Sequence, residues 1–322
     1  MRRAALALAV AAVLGGAGGA RLTGEPSRGS PPARGAVTGP PYGVGETQLT
    51  FVDRSRTVAF PGQPPHQRRV VTIVRYPIAG SSSRMDVRNA PPDRTGGPFP
   101  LIVFGHGFAV TPAAYYRLLR AFAQAGYVVA APVFPREQAH ALGGPDESDL
   151  INQPRDISVV ISGMLRTTAD RHARLSGMID PGEIAVTGQS DGGETALAVA
   201  YDRFYRDTRV RAAAIFSGAQ IPGAGVLLPG PPLLAVQGTA DTLNRPINTD
   251  LFFAAAHRPK YLVHLFGARH LPPYTHEEPQ LSIVERVTIA FLDRYLKRAR
   301  NGLSRIHRAA ERPGVAGLVA RP

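Results

Sequence analysis

Glu183-Ile184-Ala185-Val186-Thr187-Gly188-Gln189-Ser190-Asp191-Gly192-Gly193 decides the fold of this 322-residue chain. Ile184, Ala185 and Val186 form an apolar run of strand length. Gly188, Gly192 and Gly193 crowd around one hydroxyl, and Glu194 to Ala200 then has helix-compatible composition. A turn that lifts a side chain above a sheet presses backbone against backbone, which only residues without Cβ tolerate. The pattern therefore predicts strand, tight turn, helix, with Ser190 exposed at the turn. The N–H of Asp191 then opens the helix and points at whatever the serine attacks.

The flanking sequence repeats that rhythm. Toward the N-terminus, Phe99 to Phe104 reads as a buried strand ending at Gly105-His106-Gly107-Phe108. Thr111-Pro112 starts a helix that Gly126 ends, and Tyr127 to Phe134 is the next strand. A polar excursion, 135–154, precedes a helix at about 154–168. Beyond the serine, a helix runs to about Arg206, followed by strands at Val210–Phe216, Leu233–Gln237 and Tyr261–Phe266. Helices are expected at about 249–257 and 282–300. The central strands are apolar throughout rather than alternating. That calls for a mostly parallel sheet with helices on both faces, an α/β fold.

Ahead of this core, Thr50–Asp53, Thr57–Phe60 and Arg69–Pro77 read as strands, with Pro77 ending the last, and 78–97 reads as a polar loop. Residues 301–322 read as an appendage with one further short helix. Residues 1–20 carry two arginines, an apolar run from Ala4 to Leu14 and then small residues, the pattern of a secretory signal peptide. The apolar part is shorter than the roughly 20 residues that span a bilayer. Residues 21–45 read as a flexible leader rich in Gly, Pro and Ser, leaving 46–322 as a single domain. The expected mature protein is exported, with no stable membrane anchor.

The chain has no cysteine, which excludes disulfides, thiolate metal sites and a cysteine nucleophile. Its net charge is +13, yet 35 of the 37 basic residues are arginines, scattered along the chain, and only Lys260 and Lys297 are lysines. No basic stripe interleaved with aromatics appears outside the C-terminal helix, so no specific nucleic-acid partner is expected. The run Pro145-Asp146-Glu147-Ser148-Asp149 lacks the spacing of a calcium loop, and no metal is expected there. His140 and Asp149 are read instead as lining the substrate mouth.

Four features fall at carboxyl ends of strands, where open parallel sheets place ligands: Gly105-His106-Gly107-Phe108, Ser190, Asp241 and His270. A serine hydroxyl needs a base beside it, and the base needs a carboxylate to orient it. Asp241 follows Leu233–Gln237 in Gly238-Thr239-Ala240-Asp241, and His270 follows Tyr261–Phe266 in Gly267-Ala268-Arg269-His270. The chain order Ser, Asp, His is that of a serine hydrolase on this architecture. His264 lies inside a strand and reads as a packing residue, and His276 lies farther into its loop. His106 reads as structural, and Asp191 as an acid at the rim or behind the site.

On these motifs the chain resembles the α/β-hydrolase superfamily over about residues 50–300. The likeness is to secreted bacterial lipase-like and polyester-hydrolase-like enzymes and to the group related to dienelactone hydrolases and chlorophyllases. The resemblance implies Ser190 as nucleophile, Asp241 as acid, His270 as base, and the N–H groups of Phe108 and Asp191 as the oxyanion hole. It implies no cofactor. Gln189 stands where that family commonly has histidine, and the serine argues against the cysteine-dependent dienelactone reaction. The implied activity is hydrolysis of small-molecule, lipid or polyester carboxylic esters, with a peptidase or amidase on the same fold as the nearest rival. A catalytically silent binding protein is the further one.

Overall fold

The computed structural model describes residues 41–81 and 85–322, which fall in one folded unit. The signal-peptide segment and most of the expected leader lie outside the described residues. Ten strands form one sheet: β1 (Tyr42–Val58), β2 (His66–Ser81), β3 (Val87–Arg88), β4 (Phe99–Gly105), β5 (Val128–Val133), β6 (Ile179–Gln189), β7 (Val210–Phe216), β8 (Leu233–Gly238), β9 (Lys260–Leu265) and β10 (Ala316–Arg321). Their order is β10-β9-β8-β7-β6-β4-β5-β2-β1-β3. The six strands from β9 to β5 run parallel, while β2 and β1 on one side and β10 on the other run antiparallel to their inner neighbours.

Because successive side chains leave a strand on opposite faces, the central strands feed two cores. In β4, Ile102 and Phe104 join one buried cluster, and Leu101 and Val103 join the other. The first cluster is covered by α1 (Tyr116–Gln124) through Leu118, Leu119 and Phe122. With it lie the short α5 (Pro272–Thr275), through Tyr274, and α6 (Gln280–Tyr295), through Ile283, Val284, Val287 and Phe291. The second is covered by α2 (Gln153–Ala169) through Ile157, Val160, Ile161 and Met164. There α3 (Asp191–Tyr201) adds Ala196, Leu197 and Val199, and α4 (Pro246–Ala255) adds Phe252. Each such Leu, Ile or Phe stabilises the fold by about 1.5–3 kcal/mol. That is why the strands read as continuous apolar runs: both faces are covered. The protein is an α/β fold with a mixed, mostly parallel central sheet flanked by helices on both faces.

Several boundaries differ from the sequence reading. The first strand begins at Tyr42, inside the stretch assigned to the leader, and Val44 is fully buried. The two short strands expected at 50–53 and 57–60 merge into β1, joined through an irregularity between Asp53 and Thr57, and β1 ends at Val58, before Ala59 and Phe60. Pro77 does not end β2. Beyond Arg75 the only strand paired with it is β1, and the Pro77 carbonyl accepts from the Asp93 N–H instead, so the missing N–H leaves no ladder bond unmade. The helix after Ser190 ends at Tyr201 rather than near Arg206. The C-terminal segment is no appendage. The helix α7 (Gly302–Ala310) buries Ile306 and Ala310 in the core shared with α6, and β10 pairs with β9 from Ala316 to Arg321.

One buried ionic network anchors the excursion 135–154. Arg68, 1% exposed, reaches Asp149 at 2.6 and 2.9 Å and Asp156 of α2 at 2.6 and 2.7 Å. Asp149 is therefore a structural clamp and does not line the substrate mouth; His140 is exposed and lies outside the cleft as well. Burial of the guanidinium is offset by these hydrogen bonds, which favour its charged form.

Candidate active site

Ser190 sits between β6 and α3 at φ 56° and ψ −127°, a left-handed conformation rare for a residue with a side chain. Its neighbours explain how that strain is held. A Cβ on Gly188 would lie 2.1 Å from the carbonyl oxygen of Gly192, and one on Gly192 would lie 2.1 Å from that of Gly105. The backbones of β4, β6 and α3 thus touch where the hydroxyl emerges. The Ser190 N–H donates to Phe216 O of β7 at 3.0 Å, fixing the turn from its other side.

The loops after β8 and β9 bring the partners together. His270 Nε2 lies 2.9 Å from Ser190 Oγ, and His270 Nδ1 lies 2.7 Å from Asp241 Oδ2. A carboxylate accepts only, so Nδ1 carries the imidazole proton and Nε2 is left to accept from the serine. Asp241 is itself oriented: its Oδ1 accepts from the N–H groups of Leu243 and Asn244 at 3.0 and 2.9 Å. Burial opposes ionisation of Asp241, but the hydrogen bonds from His270 and the Asn244 N–H outweigh it and hold the carboxyl below its usual range. Close backbone packing serves this pair too, since a Cβ on Gly238 would meet Ala268 O at 2.5 Å.

Gln189, singled out only as a departure from a family pattern, proves to be the bracket of the site. Its Oε1 accepts from Tyr115 Oη at 2.7 Å, and its Nε2 donates to His270 O at 3.0 Å and approaches His270 Nε2 at 3.3 Å. Tyr115 Oη in turn accepts from the Gly107 N–H at 3.2 Å. One chain of bonds therefore connects the Gly105–Phe108 turn, the nucleophile's strand and the histidine loop. His106 is structural: its Nε2 accepts from Phe134 N–H at 3.1 Å, so its Nδ1 donates to Gly107 O at 2.8 Å. Burial holds its pKa down to about 4, which keeps the ring neutral. Asp191 is the first residue of α3, and both it and Phe108 line the cleft around Ser190.

That cleft is open and has a volume of about 1860 Å³. Phe108 contributes an apolar wall, as its position after the His-Gly turn suggests. The excursion 135–154 contributes only Glu147. Most of the remaining wall comes from residues 203–204, 219–227 and 240–255, with Val110 and residues 269–272 beside them. Phe204, Val226, Leu243 and Leu251 project from them, each more than 60% exposed. Asp191 is 7% exposed, with Oδ1 3.4 Å from Ser190 Oγ, and burial pushes its carboxyl up to about 6. His276 bonds Thr275 and His264 stays within β9, so neither competes for the base position. No group of three or more His, Cys, Asp or Glu able to hold a metal occurs among the described residues.

Comparison with known proteins points the same way. The family model described as Chlorophyllase matches residues 78–227, a span that contains Phe108, Ser190 and Asp191 and stops short of Asp241 and His270. Over 131 residues the chain is 25% identical to chlorophyllase-2 of Arabidopsis thaliana, a stretch covering 40% of this chain and 38% of that protein. The match therefore spans well under half the length of that curated relative. The comparisons thus show a likeness to chlorophyllases over residues 78–227, the part of the chain that holds β4 to β7 and the turn at Ser190.

Proposed function

We propose that the protein is a serine hydrolase that cleaves carboxylic esters through an acyl-enzyme. The observation that carries this reading is the continuous line of bonds from Asp241 to His270 to Ser190, with Nε2 in the accepting state. Ser190 Oγ attacks the ester carbonyl carbon while His270 Nε2 takes its proton. The carbonyl oxygen gains negative charge between the N–H groups of Phe108 and Asp191, and Asp241 stabilises the imidazolium that forms. Collapse of this tetrahedral species breaks the bond to the leaving alkoxide, which receives the proton from His270. Water then repeats the sequence in reverse roles, releasing the acid and restoring Ser190. No cofactor enters the scheme.

The exposed apolar rim of Phe108, Phe204, Leu243 and Leu251 favours acyl or alcohol groups with hydrocarbon surface, and the open cleft favours accessible esters over ones that need a deep tunnel. Residues 1–20 make the protein an exported one in this proposal, which mass spectrometry of the mature N-terminus tests. No helix among the described residues is long and apolar enough to cross a membrane. The activity is tested with p-nitrophenyl esters of graded acyl length, run beside the matching anilides and beside Ser190→Ala. Ester turnover lost in Ser190→Ala supports the proposal; turnover of the anilides alone would replace it with an amidase.

A further inference from the structure

One wall of the cleft has a charge pattern that the acyl-transfer scheme does not use. The chain has 37 Lys and Arg against 24 Asp and Glu, and its buried acids commonly meet a base. Asp53 pairs with Arg56, Asp149 and Asp156 with Arg68, and Asp293 with Lys297 and Arg305. Beside Ser190 this pairing stops. Glu147, Asp191 and Glu194 all line the cleft, and among the described residues none of them forms an ion pair with an arginine or lysine. Asp191 Oδ2 is buried without a hydrogen-bond partner, and Glu194 Oε1 has only Asn244 Nδ2 at 3.4 Å. Behind them Glu137 is wholly buried, beside Gln153 and within reach of the charges of Asp191, Asp149 and Glu147.

Asp191 is buried and Glu194 half-buried, so their unpaired carboxyls are costly to ionise, and the exposed Glu147 beside them raises that cost. Burial, then the charges of Asp191 and Glu147, push Glu194 up to about 8. A positive charge arriving in the cleft would relieve all of these carboxyls together. We propose that the wall formed by Glu147, Asp191 and Glu194 is a subsite for an ammonium group carried by the ester substrate. A compact metal ion does not fit the same wall, because the carboxyls do not converge closely enough to ligate one. A bulky organic cation needs no close coordination, and the Phe108 ring on the same cleft offers its methyl groups an aromatic surface. Arg203 and Arg269 stand elsewhere on the cleft lining and are both exposed, so the cleft is bipolar and would hold a cationic ester in one orientation.

The inference rests on the ester-hydrolase reading for its substrate, and the test separates the two. Matched ester pairs differ only in a quaternary nitrogen replaced by carbon: butyrylcholine against the 3,3-dimethylbutyl ester, and the p-nitrophenyl ester of 4-trimethylammoniobutanoate against that of 5,5-dimethylhexanoate. At least one cationic member is expected to show roughly tenfold higher kcat/KM than its neutral twin, the size expected for an ammonium about 5 Å from a half-solvated carboxylate. That preference is expected to fall at least threefold in Glu147→Gln and in Glu194→Gln. Neutral esters hydrolysed as well as the cationic ones in both pairs would overturn the subsite and leave the hydrolase standing. Calorimetry of butyltrimethylammonium with Ser190→Ala reads the subsite without turnover. Binding weakened by Glu147→Gln supports the subsite even if no ester is cleaved, and absence of binding overturns it.

Discussion

Replacing Asp241 with asparagine probes the site through a single proton. Asp241 Oδ1 is held by two backbone N–H donors, from Leu243 and Asn244, while Oδ2 faces His270 Nδ1 at 2.7 Å. In Asp241→Asn the amide oxygen must stay with the two N–H groups, because turning it away would leave both unpaired. The NH₂ then faces Nδ1 and donates to it. His270 is forced into the tautomer with its proton on Nε2, pointing at Ser190 Oγ, where it cannot act as a base. In the Ser-His-Asp template this error costs about 10⁴-fold in kcat, or ~5.4 kcal/mol of barrier. The fold should survive, since the change exchanges one charge-assisted hydrogen bond for a weaker one, about 1.5–3 kcal/mol. The assay is kcat on p-nitrophenyl butyrate, with urea unfolding as the control. A folded variant that loses less than tenfold would refute the tautomer argument.

The remaining predictions test the scaffold. In Gly192→Ala the new Cβ would sit 2.1 Å from Gly105 O, so α3 and β4 must part by roughly 1 Å; kcat should drop about 10²-fold, and an unchanged kcat would show that the turn is not tightly held. Arg68→Leu should lower stability by about 3–5 kcal/mol in urea, because it leaves Asp149 and Asp156 buried with less compensation; a loss under 1 kcal/mol would show water reaching the network. Burial pushes Glu137 up to about 9, so the folded state keeps a proton that the unfolded chain releases above its ordinary value of 4.5. Its stability contribution is thus complete at low pH and is lost as pH rises toward 9. Glu137→Gln, which never ionises, should gain about 4 kcal/mol on the unsubstituted protein between pH 5 and pH 8, roughly 1.4 kcal/mol per pH unit, and parallel pH profiles would contradict the assignment.

The parallel core was legible because both of its faces are covered, which turns β4 to β9 into unbroken apolar runs between glycines. Ser190, Asp241 and His270 were legible for a related reason: each follows such a run directly, and three short loops at one end of a parallel sheet must meet. What escaped was carried by pairing and by distant partners. β10 is six residues long, contains Gly317 and is only partly buried, and it becomes a strand by lying along β9. Tyr42–Gly45 has leader-like composition but pairs with Tyr76–Ile78 and Ser81. Asp149 looked like an acid of the substrate mouth because its partner, Arg68, lies 81 residues away. The roles of Gln189 and Tyr115 depend on a contact across 74 residues that no local spacing encodes. The rim at 219–227 was hidden by its Gly and Pro content, and the unpaired state of the cleft acids is visible only once the described arginines have positions.

The central claim is that Ser190 is an activated nucleophile, and stoichiometric labelling tests it most directly. Attack by Ser190 Oγ on diethyl p-nitrophenyl phosphate displaces p-nitrophenolate and leaves a diethylphosphoryl group on the serine. The account predicts release of about one nitrophenolate per chain. Peptide mapping should find the adduct on Ser190, with neither signal in Ser190→Ala and a slow reaction in Asp241→Asn. An unlabelled Ser190 in folded protein, or equal labelling of Ser190→Ala, would contradict it.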